Sequence, residues 1–82
     1  MLYKLYILQS LKTQKYYIGH TNNLIRRLQE HNSGQTKSTR YGVPWEIVYT
    51  KDFATKSEAY KMELSLKKAK SRRVIENLIH SW

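Results

Sequence analysis

The chain has 82 residues, of which 15 are Lys or Arg and 6 are Asp or Glu, giving a formal net charge of +9. This length predicts one domain, spanning residues 1–82, with a small hydrophobic core. Because the chain has no cysteine, disulfide scaffolds, zinc fingers and cysteine nucleophiles are excluded. The apolar runs are too short for a signal peptide or a membrane span, so we expect a cytoplasmic protein with no membrane contact.

The positive charge indicates the class of partner. Hydrophobic residues make up 40% of the chain, which is enough for a folded core rather than disorder. A large positive field on such a small body favours a polyanion, and nucleic acid is the leading candidate. An anionic membrane surface, or a role in solubility alone, would also account for the charge.

The first half of the chain predicts a β-hairpin followed by a helix. Apolar and aromatic residues alternate with others over residues 2–8 and again over residues 15–19, which is the pattern of two strands. The short polar stretch between them favours an antiparallel connection. Several polar residues that could cap a helix follow, and we expect that helix over residues 23–32.

The second half predicts a third strand and two further helices. A loop over residues 34–44, with two glycines and the only proline, leads into a strand over residues 45–53. Thr55 and Glu58 form a capping box at the start of a helix of about four turns, and a serine would cap a last helix over residues 72–80. The order ββαβαα predicts an α+β fold, in which a mainly antiparallel three-stranded sheet is flanked by helices.

Alternation along the strands predicts two different faces of the hairpin. The apolar face, expected to lie on the core, consists of Tyr3, Leu5, Ile7, Tyr16 and Ile18. The other face would carry Lys4, Tyr6, Lys15 and Tyr17. A surface of phenols and cations suits phosphate contacts, although tyrosines in strands are often simply half buried. In the third strand, one shared face is expected to contain Trp45, Ile47, Tyr49 and Phe53.

The first helix carries polar groups on the face that must pack on the sheet. Its stripe at positions i, i+3, i+4 and i+7 consists of Leu24, Arg27, Leu28 and His31. Arg26 points the other way. A guanidinium at the edge of a core needs a partner or a phosphate. A snorkelling Arg27 and a hydrogen-bonded His31 are the purely structural alternatives.

The second long helix has a carboxylate within its apolar stripe, which consists of Ala59, Met62, Glu63 and Leu66. A carboxylate in this setting is unfavourable unless it is paired or bound to a metal. Glu63 could pair with Arg27, or it could hold a divalent cation. One carboxylate with several waters suits Mg²⁺ better than Ca²⁺.

Basic residues cluster around the end of this helix, at Lys67, Lys68, Lys70, Arg72 and Arg73. The cluster could follow a nucleic-acid backbone. Cations are also favoured near the C-terminal end of a helix dipole, so a solvated helix end is an equal alternative.

Two short motifs in the hairpin resemble the GIY-YIG nuclease superfamily, in particular its small single-domain bacterial members. The chain is similar to the nuclease domain of the bacterial excinuclease, a DNA-repair enzyme. The first motif corresponds to residues 4–6, where Lys and Leu replace the family's Gly and Ile, and the second is the YIG of residues 17–19. The resemblance continues through both long helices and covers nearly the whole chain.

The resemblance implies hydrolysis of a phosphodiester with one divalent ion, Mg²⁺ or Mn²⁺, while a tyrosine phenolate helps to activate the attacking water. The implied catalytic residues are Tyr6, Tyr17, Arg27 and His31, with Arg27 on the scissile phosphate. Glu63 is the implied single metal ligand, and Asn77 is a poor match to a late asparagine of larger members. The cations expected to contact nucleic acid are Lys4, Lys15, Arg26, Arg40, Lys67, Lys68, Lys70, Arg72 and Arg73.

The sequence therefore predicts a metal-dependent endonuclease that acts on DNA, with single-stranded or structured DNA among its expected substrates. The alternative is a non-catalytic nucleic-acid-binding module of the same fold, although such a module would not need Glu63 on an apolar stripe. No second DNA-binding domain is predicted, so target choice would depend on this domain or on a protein partner. The oligomeric state is not indicated.

Overall fold

The computed structural model describes residues 2–82, which form one sheet with helices on both of its faces. The elements in chain order are β1 (Tyr3–Ser10), β2 (Tyr16–Thr21), α1 (Leu24–Asn32), β3 (Trp45–Phe53), α2 (Lys56–Ala69) and α3 (Arg72–His80). The strands are antiparallel and lie in the order β2-β1-β3. The predicted α+β fold and the order ββαβαα are therefore confirmed. None of the helices in this part of the chain is long and apolar enough to cross a membrane.

The hairpin strands differ from the predicted bounds. β1 continues to Ser10, whose hydroxyl donates to the Gly42 carbonyl at 2.6 Å and accepts two amides of the following turn. β2 begins at Tyr16 and continues to Thr21, so Lys15 lies outside the strand. The predicted loop also contains a short 3₁₀ turn, Arg40–Gly42. Ser10, which belongs to the polar stretch between the predicted strands, is thus the last residue of β1, and its hydroxyl fixes the turn that follows.

Each helix begins at a polar side chain that accepts a backbone amide three residues further on. These caps are Asn23, Thr55 and Ser71. The caps at Thr55 and Ser71 are those that the sequence predicted, while α1 begins one residue later than expected. Local capping chemistry therefore sets the start of every helix.

Apolar side chains fill a core on each face of the sheet. Under α2 and α3, the buried residues are Leu5, Ile7, Ile18, Tyr49, Leu66 and Ile75. On the face that α1 covers, the buried residues are Tyr6, Leu8 and Trp45, and Tyr17, Leu24 and Leu28 pack against them. The sequence left two alternatives for that second face, a surface of phenols and cations or tyrosines that are simply buried. For Tyr6 the structure favours burial, because α1 covers this face and Tyr6 is only 1% exposed.

An irregularity in β3 changes the face on which its residues lie. Two consecutive residues of β1 pair with Tyr49 and Ile47, which leaves Val48 as an extra residue in β3. As a result, Trp45 and Ile47 pack with the core under α1, whereas Tyr49 and Phe53 pack with the core under α2 and α3. The expectation that these four aromatic and aliphatic residues share one face was therefore wrong.

The edge strand β2 has a glycine at the position where the ring of Tyr6 lies over it. Gly19 pairs with Tyr6 in the sheet, and a Cβ at Gly19 would lie 2.5 Å from the Tyr6 hydroxyl and 2.7 Å from its Cζ. Because β1 is the central strand, the ring of Tyr6 lies over the backbone of β2 and its hydroxyl points toward the sheet edge. The glycine of the YIG motif is needed here for space.

We expect Gly19→Ala to lower the free energy of unfolding by about 1–3 kcal/mol, because the new methyl group overlaps the end of the Tyr6 side chain. Urea unfolding followed by circular dichroism measures this loss. In a Tyr6→Leu background the same substitution should have a much smaller effect, since the overlapping atoms are gone. Equal effects in the two backgrounds would show that Tyr6 does not set the requirement for glycine.

Candidate active site

Side chains from four elements meet beside the edge of the sheet that β2 forms. They are Tyr6 from β1, Tyr17 from β2, Arg27 and His31 from α1, and Glu63 from α2. The ring centroids of Tyr6 and Tyr17 lie 6.3 Å apart, and those of Tyr17 and His31 lie 4.8 Å apart. The structure therefore brings together all five residues that the family resemblance implied.

A buried hydrogen-bond chain fixes the hydroxyl of Tyr6. Nδ1 of His31 is hydrogen-bonded to the Thr39 hydroxyl at 2.8 Å, and Nε2 is hydrogen-bonded to the Tyr6 hydroxyl at 3.1 Å. The Thr39 hydroxyl also lies 3.4 Å from the Thr36 carbonyl. A neutral imidazole donates from one ring nitrogen and accepts at the other, so His31 links the two hydroxyls through one bond of each kind. The loop before β3 thus determines the position of a side chain in the site.

Burial sets the protonation states of Tyr6 and His31. Burial is the main reason that the pKa of Tyr6 rises to about 12, although a hydrogen bond from Arg27 works against it. Burial, reinforced by the positive charge of Arg27, lowers the pKa of His31 to about 4. At neutral pH the phenol is therefore protonated and the imidazole neutral, so the hydrogen bond between Tyr6 and His31 joins two uncharged groups.

Arg27 is a half-buried cation that faces the two tyrosines. Burial acts to lower the pKa of Arg27, but hydrogen bonds to Glu30 and Tyr6 outweigh it, and the pKa is raised. Its Nη1 donates to Oε1 of Glu30 at 3.0 Å, so one carboxylate of the same helix holds the guanidinium. Arg26 is more exposed and lies 3.9 Å from the other oxygen of Glu30. Only Arg27 combines a partner with a place beside the phenols.

Glu63 is buried, and both of its carboxylate oxygens have partners. Nδ1 of His20 lies 2.6 Å from Oε1, and Nζ of Lys67 donates to Oε2 at 2.8 Å. Burial acts to raise the pKa of Glu63, but the hydrogen bonds from Lys67 and His20 outweigh it and the pKa is lowered. Among the described residues, the pairing of Glu63 with Arg27 that the sequence left open is not formed.

The surroundings of Glu63 fit an ion held largely by water and substrate. Across residues 2–82, no group of three or more His, Cys, Asp or Glu residues could hold a metal ion. Mg²⁺ typically uses one or two carboxylates together with waters and substrate phosphates. Glu63 is ionised at neutral pH, since its pKa is lowered, and its partner Lys67 is 48% exposed. A single carboxylate could therefore hold Mg²⁺ here.

Several of the cations predicted to contact nucleic acid have protein partners. Lys4 donates to Asp52 at 2.6 Å across the sheet, and Arg72 pairs with Glu76 and lies over the ring of Tyr16. The other engaged cations are Arg26, with Glu30, Arg40, whose Nε donates to the Gly34 carbonyl, and Lys67, with Glu63. These side chains are already positioned by contacts within the fold.

The other predicted cations are exposed, namely Lys15, Lys68, Lys70 and Arg73. Lys15 lies 5.6 Å from the ring centre of Tyr41. Lys67 instead lies 5.9 Å from the ring centre of Tyr17. The basic cluster at the end of α2 therefore reaches the site through Lys67.

The sequence analysis missed His20, which was considered only as one of several possible helix caps. His20 continues β2 beyond the YIG motif, and it lies on the same face as Ile18, which faces α2. The alternation that placed Ile18 in the core could have placed His20 beside α2 as well. It could not have identified Glu63 as the partner, because that contact joins residues 43 positions apart.

We expect the protein to become less stable as the pH falls from about 6.5 to about 4, because His31 is buried in its neutral form. In this window the unfolded chain binds a proton that the folded chain does not, and the loss should approach about 3 kcal/mol. Urea unfolding at pH 7, 5.5 and 4.5 measures it. His31→Gln should flatten this dependence and the exposed His80→Gln should not. If both variants keep the wild-type slope, His31 is not its source.

Comparison with known proteins identifies the family of the chain. A family model described as the GIY-YIG catalytic domain matches residues 2–77. The UPF0213 protein of Streptococcus pneumoniae serotype 4 is 42% identical over 67 residues, which cover 80% of this chain and 67% of that protein. The UPF0213 protein OB0043 of Oceanobacillus iheyensis is 46% identical over 63 residues, covering 76% and 72% of the two chains.

A solved structure is similar along almost the entire chain. The solution NMR structure of the UPF0213 protein BH0048 from Bacillus halodurans superposes with a TM-score of 0.61 at 37% identity, covering 98% of this chain and 84% of that one. The family match extends over both motifs of the hairpin and both long helices. The chain therefore belongs to the GIY-YIG catalytic domain family.

Proposed function

We propose that this protein is an endonuclease that hydrolyses phosphodiester bonds in DNA with one Mg²⁺ or Mn²⁺ ion. The observation that carries the proposal is the position of Arg27. Its guanidinium is hydrogen-bonded to Tyr6 and interacts electrostatically with Tyr17. Glu63, which belongs to α2, interacts electrostatically with Tyr6. A phosphate bound by Arg27 would therefore lie beside phenols and a carboxylate. Hydrolysis needs charge neutralisation, an oriented water and help for the leaving oxygen.

The two tyrosines differ in what they can do. Tyr6 is buried, keeps its proton at neutral pH and is hydrogen-bonded to His31. It therefore positions Arg27 and the site rather than accepting a proton. Tyr17 is half buried beside Arg27 and Lys67, and it is the phenol that can reach an attacking water. We assign to Tyr17 the orientation and deprotonation of that water.

Glu63 is the residue that would hold the divalent ion. Bound there, the ion would stabilise the negative charge that develops on the leaving oxygen. Before that, Lys67 must release Oε2, and its exposed side chain can then contact either Tyr17 or a phosphate. Arg27 keeps its charge throughout, because its pKa is raised.

A non-catalytic nucleic-acid-binding module is the second candidate. The observation that favours it is the closed arrangement of Glu63, in which His20 and Lys67 occupy both oxygens. In such a module, Glu63 would be a structural ion pair between β2 and α2. The cations of the surface would still bind nucleic acid through its phosphates.

The test of the proposal is incubation with labelled single-stranded and double-stranded DNA and RNA in Mg²⁺, Mn²⁺ or EDTA. The nuclease proposal expects DNA cleavage that requires a divalent ion and stops in EDTA. Salt-dependent binding without cleavage of any substrate would support the binding module. Addition of a cell extract to the purified protein would show whether a protein partner supplies the choice of target.

We expect Arg27→Ala to slow cleavage by roughly 30- to 1,000-fold, equivalent to about 2–4 kcal/mol of lost transition-state stabilisation. The reason is that Arg27 faces both phenols, whereas its neighbour Arg26 is more exposed. Arg26→Ala is therefore the matched control and should mainly weaken binding. Single-turnover cleavage and fluorescence anisotropy separate the two effects. Equal losses of cleavage in the two variants, with binding unchanged, would contradict this assignment.

Glu63→Gln should abolish metal-dependent cleavage while binding in EDTA is retained, because the substitution keeps the size of the side chain and removes its charge. Glu58→Gln, on the exposed side of the same helix, is the control and should leave cleavage unchanged. Melting temperatures should show at most a modest loss, since the amide oxygen still accepts a hydrogen bond from Lys67. Normal cleavage by a Glu63→Gln protein that melts much earlier would identify Glu63 as a purely structural residue.

A further inference from the structure

A cavity lies between the end of β2 and the first two turns of α2. It has a volume of about 520 Å³ and is lined by His20, Lys56, Ser57 and Tyr60. A second cavity of about 220 Å³ shares His20 and Lys56 with the first, and its other lining residues are Tyr3, Thr21 and Asn22. The larger volume is in the range of sites for small organic groups. None of the roles assigned above uses this space.

Two rings border the cavity. The ring centroids of His20 and Tyr60 lie 5.6 Å apart with their planes tilted by 59°. Tyr60 is 46% exposed, although the neighbouring Ala59 is fully buried, so Tyr60 lies on the side of α2 that the core does not use. An exposed aromatic face beside a cavity provides a platform on which a flat apolar group can stack. The cation of Lys56 borders the same space.

The cavity lies next to the proposed metal ligand. His20 lines the cavity and contacts Glu63 through Nδ1, so one side chain separates the cavity from the proposed metal ligand. Along α2, one stripe at positions i, i+4, i+7 and i+11 consists of Lys56, Tyr60, Glu63 and Lys67. A strand bound along this stripe would meet a cation, a ring, the carboxylate and a second cation in turn.

We propose that this cavity binds an unpaired nucleobase next to the scissile phosphate, with Tyr60 as the stacking platform and Lys56 on the flanking phosphate. Flat bases of any sequence stack on aromatic side chains, and the charge of +9 matches a phosphate backbone. A base in a duplex must first unstack and unpair, which is unfavourable. The cavity thus selects single-stranded or locally unpaired substrates. The place of the base relative to the cleaved bond rests on the nuclease function proposed above.

The experiment compares the affinity of the protein for two oligonucleotides in EDTA, so that no cleavage occurs. One is a single-stranded oligothymidylate, and the other is an abasic strand of the same length with the same number of phosphates. Stacking of one base is worth about 1–3 kcal/mol, so the wild type should bind the oligothymidylate roughly 5- to 150-fold more tightly. Fluorescence anisotropy measures both affinities.

Variants at Tyr60 test where the base stacks. Tyr60→Ala should lose most of the preference for the oligothymidylate, and Tyr60→Phe should retain it because the ring remains. Tyr41→Ala, which removes another half-exposed tyrosine from a distant part of the surface, should keep the preference. Equal affinity of the wild type for the two strands would overturn the inference, as would equal losses in Tyr60→Ala and Tyr41→Ala.

A parallel cleavage assay in Mg²⁺ separates this inference from the proposed function. If the wild type cleaves DNA without preferring bases over abasic strands, the base site is refuted and the nuclease stands. If the Tyr60-dependent preference is found without cleavage, the base site stands and the nuclease is refuted. Failure to bind either strand would refute the base site, and it would refute the nuclease as well if double-stranded DNA is not cleaved in the parallel assay.

Discussion

The site depends on one packing contact, in which the side chain of Tyr6 lies against the backbone of Gly19. Tyr6 belongs to the central strand, but the charged groups with which it interacts, Arg27 and Glu63, lie at the edge of the sheet. Its hydroxyl reaches that edge because β2 has no side chain at Gly19. The burial that results keeps the phenol protonated, and its hydroxyl is hydrogen-bonded to the buried His31. The position and the protonation state of Tyr6 thus have the same cause.

The two charged residues of the site are kept apart by partners on their own helices. Glu30, three residues after Arg27, holds the guanidinium, and Lys67, four residues after Glu63, holds the carboxylate. A direct pair between Arg27 and Glu63 would have used the charge of each to neutralise the other. The local pairs instead leave a cation on α1 and a carboxylate on α2, both of which interact with Tyr6. The proposed function requires this separation, because Arg27 would bind a phosphate while Glu63 holds a cation.

The elements and the members of the site could be predicted from the sequence because they depend on local patterns and on the family resemblance. Alternation marked the strands, and helical spacing placed Arg27 and His31 on one face of α1. The faces of β3 could not be predicted, because the extra residue at Val48 looks the same in the sequence as a residue in regular alternation. The contact of His20 with Glu63 forms only once the sheet has formed, so no local pattern indicates it. The catalytic roles, and the metal at Glu63, stay predictions.

The position of Glu63 on α2 explains why it has features of both a structural and a functional residue. One side of α2 packs on the core through Ala59, Met62 and Leu66, while the adjacent stripe carries Lys56, Tyr60 and Lys67. Glu63 lies at the boundary and belongs to both stripes. Its burial therefore follows from the packing of α2, and its place beside β2 follows from His20. The same helix borders the cavity beside Tyr60. The packing of α2 on the sheet therefore positions both the Glu63 carboxylate and the cavity proposed to bind a base.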